Sequence, residues 1–120
     1  MSLKIGDAAE ALARDYLMKH GLRWITSNYR CRIGEIDLIM HDKDYLVFVE
    51  VRARASLTFG GALTSITRKK QQKIVKTAQL YLQTNNLHDK QACRFDVISL
   101  EGSPPNITWI QHAFEADNYH

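Results

Sequence analysis

The sequence predicts an α/β fold in which a mixed five-stranded sheet is flanked by helices, in the order α-β-β-β-α-β-β. Two segments have apolar residues at the three- and four-residue spacing of amphipathic helices. Five shorter segments are rich in β-branched and aromatic residues and are bounded by turn residues. A chain of 120 residues can bury a hydrophobic core without disulfides, so we expect residues 1–120 to form a single domain.

The first helix is predicted from about Ile5 to His20, because apolar residues recur on one face and Gly21 follows where glycine often ends a helix. Three strands are predicted after it, over residues 22–30, 35–41 and 45–52. Residues 42–44, between the second and third strands, favour a tight hairpin turn.

The remainder of the chain predicts one more helix and two more strands. A loop is expected over residues 53–63, which include Gly60-Gly61, and it should lie near the functional site. A helix with one apolar face is predicted over residues 67–84. The last strands are predicted over residues 93–100 and 107–114, on either side of a turn that contains both prolines.

The composition excludes several classes of protein. No apolar run approaches the roughly 18 residues that a membrane span needs, and no signal peptide is recognisable. Cys31 and Cys93 form no C-x-x-C pair, and the five histidines lack zinc-binding spacing. We therefore expect a cytoplasmic protein that contacts no membrane and binds no zinc.

Basic residues are concentrated in one part of the chain, although the net charge is only +3. No acidic residue interrupts the segment that holds Arg52, Arg54, Arg68, Lys69, Lys70, Lys73 and Lys76. This block predicts a surface that faces a polyanion such as nucleic acid. Two alternatives remain open, an ordinary solvated face and a basic surface that docks an acidic protein during assembly.

The strands predicted over residues 35–41 and 45–52 carry apolar side chains on both faces, as is typical of central strands. Strict alternation predicts one wholly apolar face, formed by Ile36, Leu38, Met40, Val47, Val49 and Val51. The opposite face carries four charged side chains, those of Glu35, Asp37, Glu50 and Arg52. Charges in a largely buried sheet indicate a functional site.

The hairpin register decides how closely these charges approach one another. A two-residue loop at Lys43-Asp44 would place Asp37 opposite Glu50, whereas a four-residue loop would make them diagonal neighbours on the same face. Opposed carboxylates at roughly 5 Å repel unless one is protonated or a cation lies between them. Mg²⁺ or Mn²⁺ suits such a pair, because both ions prefer oxygen ligands.

Asp37 followed by Glu50-Val51-Arg52 resembles the D…E-x-K signature of restriction-endonuclease-like, PD-(D/E)xK proteins. Together with G-E-I-D-L-I, V-F-V-E-V-R, T-R-K-K-Q and R-F-D-V-I, the chain resembles the bacterial YraN family over nearly its whole length. The fold of that family is similar to that of archaeal Holliday-junction resolvases. The resemblance implies a restriction-endonuclease-like fold and a metal-dependent endonuclease that selects branched or otherwise structured DNA. It also makes a homodimer possible.

The resemblance also implies roles for individual residues. Asp37 and Glu50 would bind the metal, with Glu10 on the first helix as the further acidic residue; a solvated helical carboxylate is the alternative for Glu10. Arg52 stands where lysine is usual. An arginine can hold phosphate but cannot act as a general base, so a non-catalytic nucleic-acid-binding module that retains the fold is the alternative function.

Residues around this core are predicted to support it. Glu35 is either a minor metal ligand or the ion-pair partner that orients Arg52. The start of the second helix is expected to bind phosphate through Arg68, Lys69, Lys70, Gln71 and Lys73. The alternative for Gln71 is a core amide bonded to the backbone. Asp96 is assigned a structural role as a buried ion-pair partner, and Trp24 and Trp109 are assigned to the core, with base-stacking platforms as the alternative.

Overall fold

The computed structural model describes residues 5–54, 66–87 and 91–116. The elements are α1 (Ile5–Lys19), β1 (Arg23–Arg30), β2 (Glu35–Asp42), β3 (Tyr45–Arg54), α2 (Arg68–Thr84), β4 (Ala92–Glu101) and β5 (Asn106–Phe114). Their order confirms the predicted α/β succession, and Thr67 is the N-cap of α2. The loop predicted from Ala53 was placed too early, because Ala53 and Arg54 belong to β3; the remainder of that loop lies outside the described residues.

The sheet is mixed and has the strand order β1-β2-β3-β4-β5. Among the described strands, the β3–β4 pair alone is parallel, and α2 lies in the connection between these two strands. The pairs β1–β2, β2–β3 and β4–β5 are antiparallel. A parallel pair needs a crossover connection, which explains why a helix separates β3 from β4 while the other neighbouring strands are joined without one.

The hairpin between β2 and β3 has the two-residue loop. Asp42 pairs with Tyr45, and the ladder continues to Leu38 opposite Val49. Lys43, the first loop residue, has a φ of 57°, as the primed turns of two-residue hairpins require. The observed pairs follow the register that was predicted for a two-residue loop, as far as the Leu38–Val49 pair. One step further along, this register would place Asp37 opposite Glu50.

Each face of the sheet is covered by one helix. On the α1 side, Ala13 and Leu17 pack against Leu38, Val47 and their neighbours. On the α2 side, the buried residues of the helix pack against strand residues, and this core contains Ile74, Val75, Ala78, Ile39, Leu46 and Phe48. Burial on both sides explains why β2 and β3 are apolar on both faces.

The predicted face of Ile36 was wrong. Ile36 packs in the α2-side core with Ile39 and Phe48, not with Leu38 in the α1-side core. The strict two-residue alternation is thus interrupted near Asp37. Beside this point on β1, Asn28 has a φ of 54°, a left-handed conformation that asparagine tolerates and that turns the strand locally.

An ion pair is buried within the α1-side layer, as the structural role predicted for Asp96 requires. Asp96 is fully buried and accepts hydrogen bonds from Arg94 Nε at 2.9 Å and from Trp109 Nε1 at 2.9 Å. Arg94 Nη2 also lies 3.0 Å from Asp42 Oδ2. Trp109 packs against the α1-side core, as predicted, but Trp24 is 46% exposed, so its assignment to the core was wrong.

Among the described residues, no helix is long and apolar enough to cross a membrane.

Candidate functional site

The candidate site lies where β2 and β3 stop pairing. Beyond the Leu38–Val49 pair, the Val51 N–H donates to the Asp37 Oδ2 at 2.8 Å, so a carboxylate replaces a backbone carbonyl as acceptor. Asp37 therefore lies between the two strands. It lines a cavity of about 340 Å³ on the α1 side and another of about 320 Å³ on the α2 side. We call these the α1-side cavity and the α2-side cavity.

The carboxyl groups of Asp37 and Glu50 are neighbours, and a hydrogen bond between them would require that one of the two carries a proton. Glu50 is buried, and the Asp37 residue keeps only partial exposure toward the cavities. Burial, followed by the hydrogen bond and the charge of Glu50, raises the pKa of Asp37 to about 9. The structure thus brings together the two carboxylates that the hairpin register predicted, in a state that calls for a proton or a cation.

Lys70 is the closest cation to this pair. Its Nζ lies 2.7 Å from the Glu50 Oε2, and the Arg52 Nη1 lies 3.8 Å from the same oxygen. The side chain of Lys70 is 42% exposed, so it reaches Glu50 from the solvent side of the α2-side cavity. A predicted phosphate-binding lysine is therefore in direct contact with a predicted metal ligand, which the sequence pattern did not indicate.

Glu10 reaches the same cluster from α1. Burial is the main cause that raises its pKa; Asn28 and Asp37 beside the carboxyl group lower it, and repulsion from Glu35 and Asp7 raises it. Glu10 is thus half-buried rather than fully solvated, and its role at a metal stays a prediction. Glu10 contacts Asp37 from the α1 layer, whereas Glu50 lies in the α2-side cavity. Within the described ranges, no three His, Cys, Asp or Glu side chains are grouped to hold a metal ion.

Glu35 lines the α2-side cavity at the start of β2. Its carboxylate forms an ion pair with Arg30, the residue opposite it on β1. This partner differs from the predicted one, Arg52, because the β1–β2 register places Arg30 directly beside Glu35. Glu35 thus joins the edge of the site to the outer strand of the sheet.

The start of α2 contributes unequally to the site. Lys70 and Lys73 line the α2-side cavity, while Arg68 and Lys69 are exposed in the first turn of the helix. The Thr67 hydroxyl accepts a hydrogen bond from the Lys70 N–H at 3.1 Å, so the cap already uses one backbone donor that a phosphate would need. The lysine side chains, more than the helix N-terminus, are therefore positioned for an anion.

Gln71 follows the alternative assignment. Its amide Nε2 donates to the Ile66 carbonyl at 3.1 Å. This bond ties the first turn of α2 to the residue that precedes the N-cap. The amide therefore has a backbone partner, as that alternative expects, while a role at the metal site stays a prediction.

Gly34 is a site residue that the sequence reasoning missed. It lines the α2-side cavity, and a Cβ atom at this position would lie 3.1 Å from Thr77 Oγ1 and 3.6 Å from Lys73 Cβ. The turn before β2 therefore packs directly on α2, which places the start of β2 beside Lys73. A glycine immediately before a charged strand was the available signal.

Comparison with known proteins identifies the family. The model of the family described as "Uncharacterised protein family UPF0102" matches residues 9–100. A UPF0102 protein of Legionella pneumophila subsp. pneumophila is 50% identical over 116 residues, which cover 97% of this chain and 98% of that protein. A UPF0102 protein of Psychromonas ingrahamii is 51% identical over 110 residues, 92% of this chain and 88% of its own length.

A third relative, from Methylobacillus flagellatus, is 52% identical over 114 residues, 94% of this chain and 98% of its own length. These matches confirm the resemblance at the level of the family, while the restriction-endonuclease-like superfamily stays a prediction. The match extends from α1 through β4 and so includes every residue of the candidate site. The chain belongs to the UPF0102 family.

Proposed function

We propose that this protein is a Mg²⁺- or Mn²⁺-dependent endonuclease that hydrolyses phosphodiester bonds in branched or otherwise structured DNA. The observation that carries the proposal is the Asp37–Glu50 pair, whose carboxyl groups meet at the point where β2 and β3 separate. Two buried or half-buried carboxylates in contact are costly without a proton or a cation. Ionisable groups held in such unfavourable surroundings are common at catalytic sites.

The residues present fit a divalent ion. Asp37 and Glu50 offer the oxygen ligands that Mg²⁺ and Mn²⁺ prefer, and these ions need only one or two protein carboxylates when water and phosphate complete the shell. The contact of Lys70 Nζ with Glu50 indicates that positive charge is favourable at this position. When bound, the ion would supply an activated water and stabilise the charge that develops on phosphate.

The other side chains would bind and orient the substrate. Lys70 and Lys73 border the α2-side cavity and would contact phosphate oxygens, with Lys70 leaving Glu50 as it does so. Arg52 lines both cavities and would hold the phosphate through its planar guanidinium group. Glu10, which acts on Asp37 from the α1 layer, would help to orient it. Arg52 stays charged and cannot act as the proton acceptor.

Cleavage assays on matched variants test the proposal. The protein would be incubated in Mn²⁺ with four-way junctions, flapped duplexes, single strands and intact duplex DNA. We expect Asp37→Asn and Glu50→Gln to reduce cleavage at least about 100-fold, because each removes a ligand charge without removing volume. Asp44→Asn, at an exposed turn residue, is the matched control and should retain full activity. Equal residual cleavage by the Asp37, Glu50 and control variants would contradict the proposal.

A non-catalytic nucleic-acid-binding module is the second candidate function. Two observations favour it: arginine occupies the place where the signature has lysine, and Lys70 already neutralises Glu50. This candidate predicts DNA binding that weakens steeply with salt, without cleavage in either metal. It also predicts that Lys70→Ala lowers affinity while Asp37→Asn does not.

A further inference from the structure

Trp24 is an exposed aromatic side chain held in a defined position. It lies on the edge strand β1 and is 46% exposed. Its Nε1 donates to Ser27 Oγ at 3.0 Å, and the guanidinium carbon of Arg14 lies 5.1 Å from the centroid of its ring. These contacts fix the orientation of the ring and leave nearly half of the residue open to solvent. A fixed, exposed indole is suited to stacking with a flat partner.

A cavity lies between the residues that hold this tryptophan and the edge of the candidate site. A cavity of about 250 Å³ between α1 and β1 is lined by Asp7, Glu10, Ala11, Arg14, Ser27 and Asn28. Arg14 and Ser27, the two residues that hold Trp24, border this cavity together with Glu10. Glu10 precedes Arg14 by about one helical turn, or roughly 6 Å along the axis, and Asp37 is among the groups that act on its carboxyl. The cavity therefore separates the two residues that hold Trp24 from Glu10 at the edge of the candidate site.

The charges along the outer strand suit a polyanion. β1 contains no acidic residue and begins with the exposed Arg23, next to Trp24 in the chain, whereas Arg30 at its other end is paired with Glu35. Arg14 adds a second positive charge above the tryptophan ring. An aromatic platform flanked by basic side chains is the arrangement by which proteins bind single-stranded nucleic acid. An apolar protein partner would explain the exposed ring but not the arginines around it.

We propose that Trp24 stacks with an unpaired base, so that the DNA substrate carries a single-stranded segment beside the bond that is hydrolysed. The proposal rests on the proposed function and narrows its substrate class. Bases inside a duplex are already stacked and cannot reach a ring on the protein surface, whereas an unpaired base can. Arg14 would contact the phosphate next to that base.

Binding measured without metal tests this inference separately from catalysis. In buffer that contains a chelator, the affinity of the protein for a fluorescent single-stranded oligonucleotide would be compared with its affinity for a duplex of equal length. We expect Trp24→Ala to weaken single-strand binding about tenfold, within the range reported for one base stacked on an aromatic ring. Trp24→Phe should recover most of the affinity, and duplex binding should change less than twofold. The salt dependence should stay the same, because no charge is removed.

Tyr45→Ala is the matched control. Tyr45 is 37% exposed and has the guanidinium carbon of Arg94 at 5.4 Å from its ring centroid, but it lies at the hairpin end of β3, away from Glu50. This variant should bind both DNAs normally. A second measurement needs no alanine variant: a single strand should quench the tryptophan fluorescence of the unchanged protein, and Trp24→Phe should abolish most of that quenching.

Two outcomes would overturn the stacking role. Equal losses on single strand and duplex would assign Trp24 to general folding. An unchanged affinity of Trp24→Ala, together with a loss for Lys70→Ala, would remove the stacking role while leaving the proposed nuclease site intact; the exposed ring would then fit a protein partner better.

Discussion

Asp96 and the Asp37–Glu50 pair lie on the central strands, and their negative charges are offset in different ways. Asp96 accepts hydrogen bonds from Arg94, from Trp109 Nε1 and from the His112 N–H. Every partner of this carboxylate that the structure describes is a donor. Asp37, in contrast, accepts one hydrogen bond from the Val51 N–H and also faces the carboxyl group of Glu50.

The difference separates a carboxylate that holds the fold together from one that is available for chemistry. A buried acid surrounded by donors is stable as an anion and has no need of a ligand. The Asp37–Glu50 pair keeps a proton because its surroundings oppose a second negative charge, and it lies beside open cavities. The four predictions below test this contrast, from the largest expected effect to the smallest.

Removing the structural carboxylate should have the largest effect on stability. Asp96→Ala leaves Arg94 buried with Asp42 as its remaining described acidic partner, and it leaves the Trp109 Nε1 without its acceptor. We expect the free energy of unfolding to fall by about 3 kcal/mol, measured by urea denaturation. A similar loss for Asp37→Asn at pH 7 would contradict the distinction between the two groups.

A divalent ion should stabilise the protein through the Asp37–Glu50 pair. With Mn²⁺ at about 100 times its dissociation constant, the free energy of unfolding should rise by about 2.7 kcal/mol. The measurement is the shift in Tm between Mn²⁺ and a chelator. The shift should disappear in Glu50→Gln and persist in Asp44→Asn. Persistence in both variants would indicate that the ion binds elsewhere.

The pH dependence of stability should reveal the proton on Asp37. Because the pKa of Asp37 is about 9 when folded and near 3.8 when unfolded, the unfolded chain releases a proton over this interval that the folded protein keeps. Stability should therefore fall as pH rises from about 4 to 9 in the presence of a chelator. Asp37→Asn lacks this proton, so we expect it to exceed the unchanged protein by at least about 1 kcal/mol at pH 8.

The advantage of Asp37→Asn should shrink toward pH 4, where Asp37 is protonated in both states. Unfolding curves recorded at matched pH values for the two proteins measure this difference. An advantage that is the same at pH 4 and at pH 8 would show that the substitution acts through packing and not through the proton.

The smallest effect is expected from the turn that positions β2 on α2. Gly34→Ala places a Cβ atom about 3.1 Å from Thr77 Oγ1, which should cost about 1 kcal/mol of stability. Thr77→Ala removes that oxygen, so the Gly34→Ala cost should shrink in the double variant. A double-mutant cycle by denaturant unfolding measures this coupling. If the stability losses of the two single variants simply add in the double variant, the added Cβ atom does not crowd Thr77 Oγ1.

The fold was predictable because its main signals are local. Apolar spacing predicted both helices, and the composition of residues 42–44 predicted the hairpin whose register brings Asp37 and Glu50 together. The same reasoning failed for Ile36 because it assumed unbroken alternation. The left-handed Asn28 on the neighbouring strand lies at the interruption, and nothing in a strand pattern indicates which asparagine will adopt that conformation.

The partners of the site residues were harder to predict because they come from distant parts of the chain. The Lys70–Glu50 contact depends on how α2 lies on the sheet, and the Arg30–Glu35 pair depends on the β1–β2 register. That register shifts between Trp24 and Thr26, where β1 carries an irregularity. The exposure of Trp24 also depends on the tertiary arrangement, because β1 lies at the edge of the sheet.

The hydrogen bond from the Val51 amide to Asp37 also makes the backbone a spectroscopic reporter. The amide proton of Val51 points at an oxygen of the Asp37 carboxyl group, whose charge changes when its proton leaves or a cation arrives. Its chemical shift and its hydrogen-exchange rate should therefore follow the state of Asp37. A single NMR cross-peak can then be followed through pH or metal titrations, on a protein that need not cleave anything.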